Sequence, residues 1–196
     1  MTHQELCDRA VGWLRGTRRC KPVLTRIASC EEVPDAIGWS SSYSWAGSTV
    51  VEVKTSKADF YADKKKYVRY RHNGFLQRRV RGEVPADWVE EVIPSMGDYR
   101  FFLCEPFVID EKMIESRPDH GLLYCVGRRI RVVKPAPERL ATNHPAEVRY
   151  LRFAILHMEK NLLAKGFTVD LDRMTKWGGF RDGLVMSEAV LNGREV

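Results

Sequence analysis

Residues Ser48–Lys66, STVVEVKTSKADFYADKKK, restrict the fold more than any other stretch of this chain. Val50, Val51 and Val53 are β-branched, and such residues fit a pleated, half-buried surface. A strand is therefore expected through Val53. Ser56 follows at once, with Asp59 three residues on, the pattern of a helix N-cap with an acidic first turn. A helix from Lys57 to about Tyr70 is expected. A strand running directly into a helix points to an α/β protein. Alternation along the strand puts Glu52 and Lys54 on one face, roughly 6.6 Å apart, and Val51 and Val53 on the other.

The flanking segments extend this frame. In HQELCDRAVGWL, Leu6, Ala10, Val11 and Leu14 recur at helical spacing. Thr2 and Glu5 fit a capping box, and Gly16 a stop. Lys21–Ser29 and Pro34–Ser40 read as strands. With the valine strand they make an antiparallel meander. Tyr99–Phe107 reads as another strand, and LLYCVG and RIRVVKPA as a hairpin about Gly127-Arg128. His144-Pro145 opens a long helix. Its Val148, Leu151, Ile155, Met158 and Leu162 stripe is expected to pack on the core. Residues 73–98 read as a long loop or insertion carrying a small helix. Residues 166–196 read as an extension or tail to a domain over 1–165.

The chain has 196 residues, 44% hydrophobic and 30% charged, with a net charge of +6. This is the composition of a globular domain with a modest bias toward acidic partners. The five cysteines, Cys7, Cys20, Cys30, Cys104 and Cys125, form no C-x-x-C pair. They read as reduced thiols in a cytoplasmic protein. The N-terminus lacks the apolar core of a signal peptide, and no apolar run approaches the ~20 residues that span a bilayer. No phosphate-binding G-x-x-x-x-G-K-[ST] occurs.

Asp35 opens the strand before Glu52. Paired as a hairpin, the two carboxylates approach the same end of the sheet. Two carboxylates beside an amine suit a hard divalent cation, which lowers the pKa of a bound water. Lys54 then supplies a point charge beside developing negative charge. The competing reading is an exposed ion pair contributing ~0–1 kcal/mol, which leaves Asp35 unexplained.

Pro34-Asp35 followed by Glu52-Val53-Lys54 resembles the PD-(D/E)XK nuclease superfamily, and EVKTSKADFYADKKK is especially similar to its MmcB-like DNA repair branch. The resemblance covers about residues 1–135 and is sharp over 34–66. It implies a restriction-endonuclease-like fold, a central mixed sheet flanked by helices in αβββαβ order. It further implies Mg²⁺ or Mn²⁺ on Asp35, Glu52 and the Val53 carbonyl, with Lys54 as the catalytic lysine. Glu5 on the first helix is the accessory acid, with Glu31 and Glu32 competing for that role. The expected activity is DNA endonuclease or DNA-processing hydrolysis, with RNA as a further substrate class and a homodimer in keeping with many relatives. A second P-D, Pro118-Asp119, has no E-x-K after it and reads as a turn.

Lys64, Lys65, Lys66, Arg69, Arg71, Arg78, Arg79 and Arg81 form the densest basic segment, interleaved with Tyr67, Tyr70 and Phe75. They read equally as a phosphate-tracking surface and as a solvated helix face followed by a loop. Trp39 reads as packing, as do Tyr43 and Trp45, with base stacking the other role open to the latter two. The five histidines, His3, His72, His120, His144 and His157, are scattered, and a histidine metal site is not expected. Two further functions stay open: a nuclease-fold adaptor without turnover, and a plain nucleic-acid-binding module.

Overall fold

The computed structural model describes residues 1–27, 32–42, 46–63, 68–72, 75–77, 88–92, 94–165, 167–169 and 184–186; for 68–77, 89–92 and 167–186 the description is of the backbone. Four α-helices and eleven β-strands are assigned among these residues. The chain divides by contact density into Met1–Glu147 and Val148–Val196.

The first unit is built on a six-stranded mixed sheet in the order β1-β2-β3-β7-β8-β9. Its strands are β1 (Val23–Leu24), β2 (Ala36–Ser40), β3 (Gly47–Val53), β7 (Tyr99–Cys104), β8 (Gly121–Val126) and β9 (Arg129–Lys134). The β1, β2 and β3 strands form the expected antiparallel meander, and β3, β7 and β8 are parallel. Gly127, at φ 59°, and Arg128 close the β8–β9 hairpin as expected. The α/β expectation holds at this level.

Alternation gives the sheet two apolar faces. Helix α1 (His3–Gly16) packs across β1, β2, β3 and β7, placing Leu6, Ala10, Trp13 and Leu14 against Val51, Val53, Phe101 and Leu103. Its capping box is formed, with Thr2 accepting from the Glu5 amide and Glu5 reaching back to Thr2. The opposite face gathers Phe60, Phe102, Ile109, Ile114 and Leu122, supplied partly by α2 (Lys57–Ala62) and α3 (Glu111–Glu115). Each fully buried side chain of this size contributes about 1.5–3 kcal/mol.

Three expectations are corrected. The first strand shrinks to Val23–Leu24, because Arg26 at φ 45° turns the chain out of extended geometry. The helix capped by Ser56 stops at Ala62 rather than Tyr70. Asp63 is drawn into an ion pair with Lys54, and Val68–His72 forms strand β4. Between α2 and β7 lies a second antiparallel sheet rather than a loop with a helix, in the order β5-β4-β6, with β5 at Phe75–Gln77 and β6 at Val89–Val92. The β4 strand pairs antiparallel with β5 on one side and β6 on the other.

Helix α4 (His144–Ala164) spans the expected region, but its predicted stripe is not the buried one. Val148 and Ile155 are 64% and 63% exposed, whereas Ala146, Tyr150 and Ala154 are buried. The helix's first turn, which lies within the first unit, is anchored by Glu147. Glu147 Oε1 accepts from Ser48 Oγ (2.8 Å) and the Gly97 amide (2.7 Å), and Oε2 from Trp39 Nε1 (3.2 Å). In the second unit, β10 (Phe167–Val169) pairs antiparallel with β11 (Leu184–Met186).

Candidate functional site

The β2–β3 register pairs Ala36 with Val51, so Asp35 arrives beside the Glu52 end of β3. Its Oδ2 accepts from the Val53 amide at 2.8 Å. This bond ties the P-D segment to the centre residue of E-x-K. Its Oδ1 faces the α1 side, with His3 Nε2 at 3.4 Å and Arg26 Nε at 3.8 Å.

Glu52 and Lys54 share the opposite face, as alternation requires, and both are buried, at 2% and 1% exposure. Glu52 Oε1 lies 3.3 Å from Arg100 Nη2. Arg100 is itself fully buried on β7, and its Nη1 donates to Glu32 Oε1 and the Met96 carbonyl, each at 2.7 Å. Lys54 Nζ donates to Asp63 Oδ1 at 2.9 Å, lies 3.9 Å from Asp59 Oδ1, and sits 5.7 Å from the centre of the Phe102 ring. Asp35 and Glu52 therefore turn to separate cations, Arg26 and Arg100.

The accessory acids separate. Glu5 is committed to the helix cap, and the Thr2 amide holds its carboxyl below the usual range. Glu32 joins Glu52 through Arg100. Glu31, Lys64, Lys65, Lys66, Arg78, Arg79 and Arg81 lie outside the described residues, as do Tyr43, Trp45 and Cys30. Arg69 and Arg71 belong to β4, in register with Glu91 and Val89 of β6.

The second P-D is more than a turn. Asp119 Oδ1 is 2.7 Å from His120 Nδ1, and His120 Nε2 accepts from Arg100 Nε at 3.3 Å. The imidazole stacks on Phe102, 4.6 Å between ring centres. The His120 bond holds the Asp119 carboxyl down to about 2, and burial holds His120 below its ordinary value. The depressed histidine fixes the sign of a pH effect: the unfolded chain binds this proton first, so stability falls as pH drops below about 6.5. Urea denaturation at pH 7.5 and 5.5 should show a lower midpoint at 5.5. His120→Asn should flatten that difference, and an unchanged slope in the variant assigns the effect to other groups.

Sequence reasoning missed Arg100, His3 and Cys7 as neighbours of the site. His3 and Cys7 stand at i and i+4 on α1, the spacing that puts two side chains on one helix face. Cys7 Sγ is 3.4 Å from His3 Nδ1. The order Cys7, His3, Asp35 has the layout of a thiol nucleophile with its base and orienting acid. Burial rules out that chemistry: Cys7 is 1% exposed and its thiol is pushed up to about 11, so it is neither a thiolate nor open to substrate.

Among the described residues no helix is long and apolar enough to cross a membrane. The four described cysteines are free and buried. No family model matches the chain, and no curated protein matches it. Among solved structures it is similar to SPO1766, a protein of unknown function from Silicibacter pomeroyi, at 16% identity, covering 84% of this chain and 92% of that one with a TM-score of 0.50. That likeness is one of fold.

Proposed function

We propose that the chain is a metal-dependent nuclease of restriction-endonuclease-like fold that hydrolyses phosphodiester bonds in DNA, in the manner of the MmcB-like repair branch and in the cytoplasm. The observation that carries this reading is the Asp35 Oδ2 bond to the Val53 amide, which fastens the P-D segment onto the E-x-K strand. The donors suit Mg²⁺ or Mn²⁺ in kind. Asp35, Glu52 and the Val53 carbonyl offer hard oxygen, and both carboxylates already face positive charge, from Arg26 and Arg100. A bound ion supplies an activated water and offsets charge on the scissile phosphate.

The chain's own residues do the rest. Asp63 and Asp59 keep the Lys54 ammonium fixed on the Glu52 face, a preset positive charge that needs no reorganisation. The basic residues between 64 and 81 would hold the nucleic-acid backbone, DNA first and RNA second. A homodimer would allow two strands to be cut.

Purified protein should nick or cleave plasmid, branched or single-stranded DNA with Mg²⁺ or Mn²⁺. Glu52→Gln and Asp35→Asn should each lower the rate by at least about 100-fold while the chain stays folded by circular dichroism, a loss of roughly 2.7 kcal/mol or more in barrier lowering. Cleavage undiminished in both variants would sink the assignment. A second reading, a nuclease-fold adaptor without turnover, draws support from the near-complete burial of Glu52 and Lys54 in ion pairs. It predicts nucleic-acid or partner binding that survives Asp35→Asn, with no divalent-ion heat by calorimetry.

A further inference from the structure

We propose that His3, Cys7 and Asp35 form a binding site for a thiophilic divalent cation of the zinc class, a site in which the Arg26 guanidinium takes the cation's place when none is bound. It stands independently of the nuclease reading, although both use Asp35.

One ligand atom from each of the three residues lies within 4.8 Å of the others. Around Zn²⁺, bonds of ~2.3 Å to sulfur and ~2.0–2.1 Å to nitrogen or oxygen put neighbouring ligands about 3.5 Å apart in a tetrahedron. Two contacts have about that size, one at each ring nitrogen: Cys7 Sγ to His3 Nδ1 and His3 Nε2 to Asp35 Oδ1, each 3.4 Å. Closing the set needs the His3 ring to turn so that one nitrogen serves both neighbours. His3 and Asp35 are partly exposed, which gives an ion a route in, while Cys7 forms the buried floor.

The protein already treats this spot as a place for positive charge. Arg26 leaves the β-region, with φ 45°, and sets its guanidinium against His3 Nδ1 and Asp35 Oδ1, with Nη1 also donating to Gln4 Oε1 at 3.2 Å. A guanidinium and a metal ion would compete for the same imidazole.

Sulfur sets the class of ion. A hard ion such as Mg²⁺ gains little from a sulfur ligand. Zn²⁺ or Co²⁺ bonds sulfur directly, and the thiol proton passes to solvent as the metal–sulfur bond forms. Affinity should therefore rise with pH.

Co²⁺ added to chelator-treated full-length protein is the probe. One equivalent should bind, with an intense visible d–d band of tetrahedral cobalt and a near-ultraviolet thiolate-to-cobalt charge-transfer band. His3→Gln should weaken binding by about 10-fold or more, by analogy with losses at metal sites. Arg26→Ala removes the competing cation and should tighten it several-fold. Cys7→Ser should abolish the charge-transfer band; because Cys7 is buried, the His3 and Arg26 variants decide the matter if that one fails to fold. Glu52→Gln, the variant that tests the nuclease reading, should leave the cobalt spectrum unchanged, so loss of nuclease activity and loss of this site read out separately. A spectrum without charge transfer, or binding that Arg26→Ala weakens and His3→Gln leaves intact, overturns the proposal.

Discussion

Arg100→Met should lower unfolding stability by about 3–5 kcal/mol, the usual cost of removing one partner from a buried ion pair. Arg100 is fully buried, and its guanidinium reaches Glu52, Glu32, the Met96 carbonyl and His120. Methionine fills much of the volume, so the loss reports charge rather than a cavity. Two acids are left in low dielectric without their guanidinium. The deficit should be largest near neutral pH and should shrink in acid, where protonation relieves them. Adding Glu52→Leu to Arg100→Met should recover part of it, because a buried charge is then removed with its partner. The four chains of that cycle, compared by urea denaturation at a common slope, give the coupling directly. Additive losses would show that Arg100 acts through Glu32 and Met96 instead.

Glu147→Ala should be the next largest, about 2–4 kcal/mol. Its carboxylate receives the Gly97 amide, the Ser48 hydroxyl and the Trp39 indole N–H in a buried setting. Each stranded donor costs about 1–3 kcal/mol, and Ser48 keeps a second acceptor in Asp98 at 3.0 Å. Glu147→Gln keeps one carbonyl acceptor and should lose less than half as much. Equal losses in the two variants would mean that the negative charge matters more than the acceptor geometry.

What could be read from the residues was local. Thr2 and Glu5 announce a helix start, Ser56 another, and Gly127 a hairpin, because each signal is complete within a few positions. The valines of β3 announce a strand, and its alternation fixes where Glu52 and Lys54 point. Arg100 was not legible. In YRFFLC it looks like a polar interruption of an apolar strand, and only Glu32 and Glu52, 68 and 48 residues away, give it a purpose. Glu147 looks like a surface acid in a helix's first turn, yet it is buried and accepts from Trp39, Ser48 and Gly97. The small β5-β4-β6 sheet was hidden for another reason. Its strands are three to five residues long, too short for periodicity to separate strand from helix or loop. The partners of Asp35 were half visible: His3 and Cys7 stand one turn apart, but nothing in the order of residues says that the turn faces β2.

The hydrogen bond from the Val53 amide to Asp35 makes that amide a reporter. Any event that recruits the aspartate, whether an ion beside Glu52 or one beside Cys7, must redistribute electron density at its acceptor oxygen. The backbone nitrogen and proton of Val53 would register it as a shift in a nitrogen–proton correlation spectrum, with no label beyond the isotope and no change to the site. Arg100, on the far face, would stay silent for an ion at Cys7 and respond to one at Glu52. Two resonances thus distinguish which side of one strand a cation has chosen.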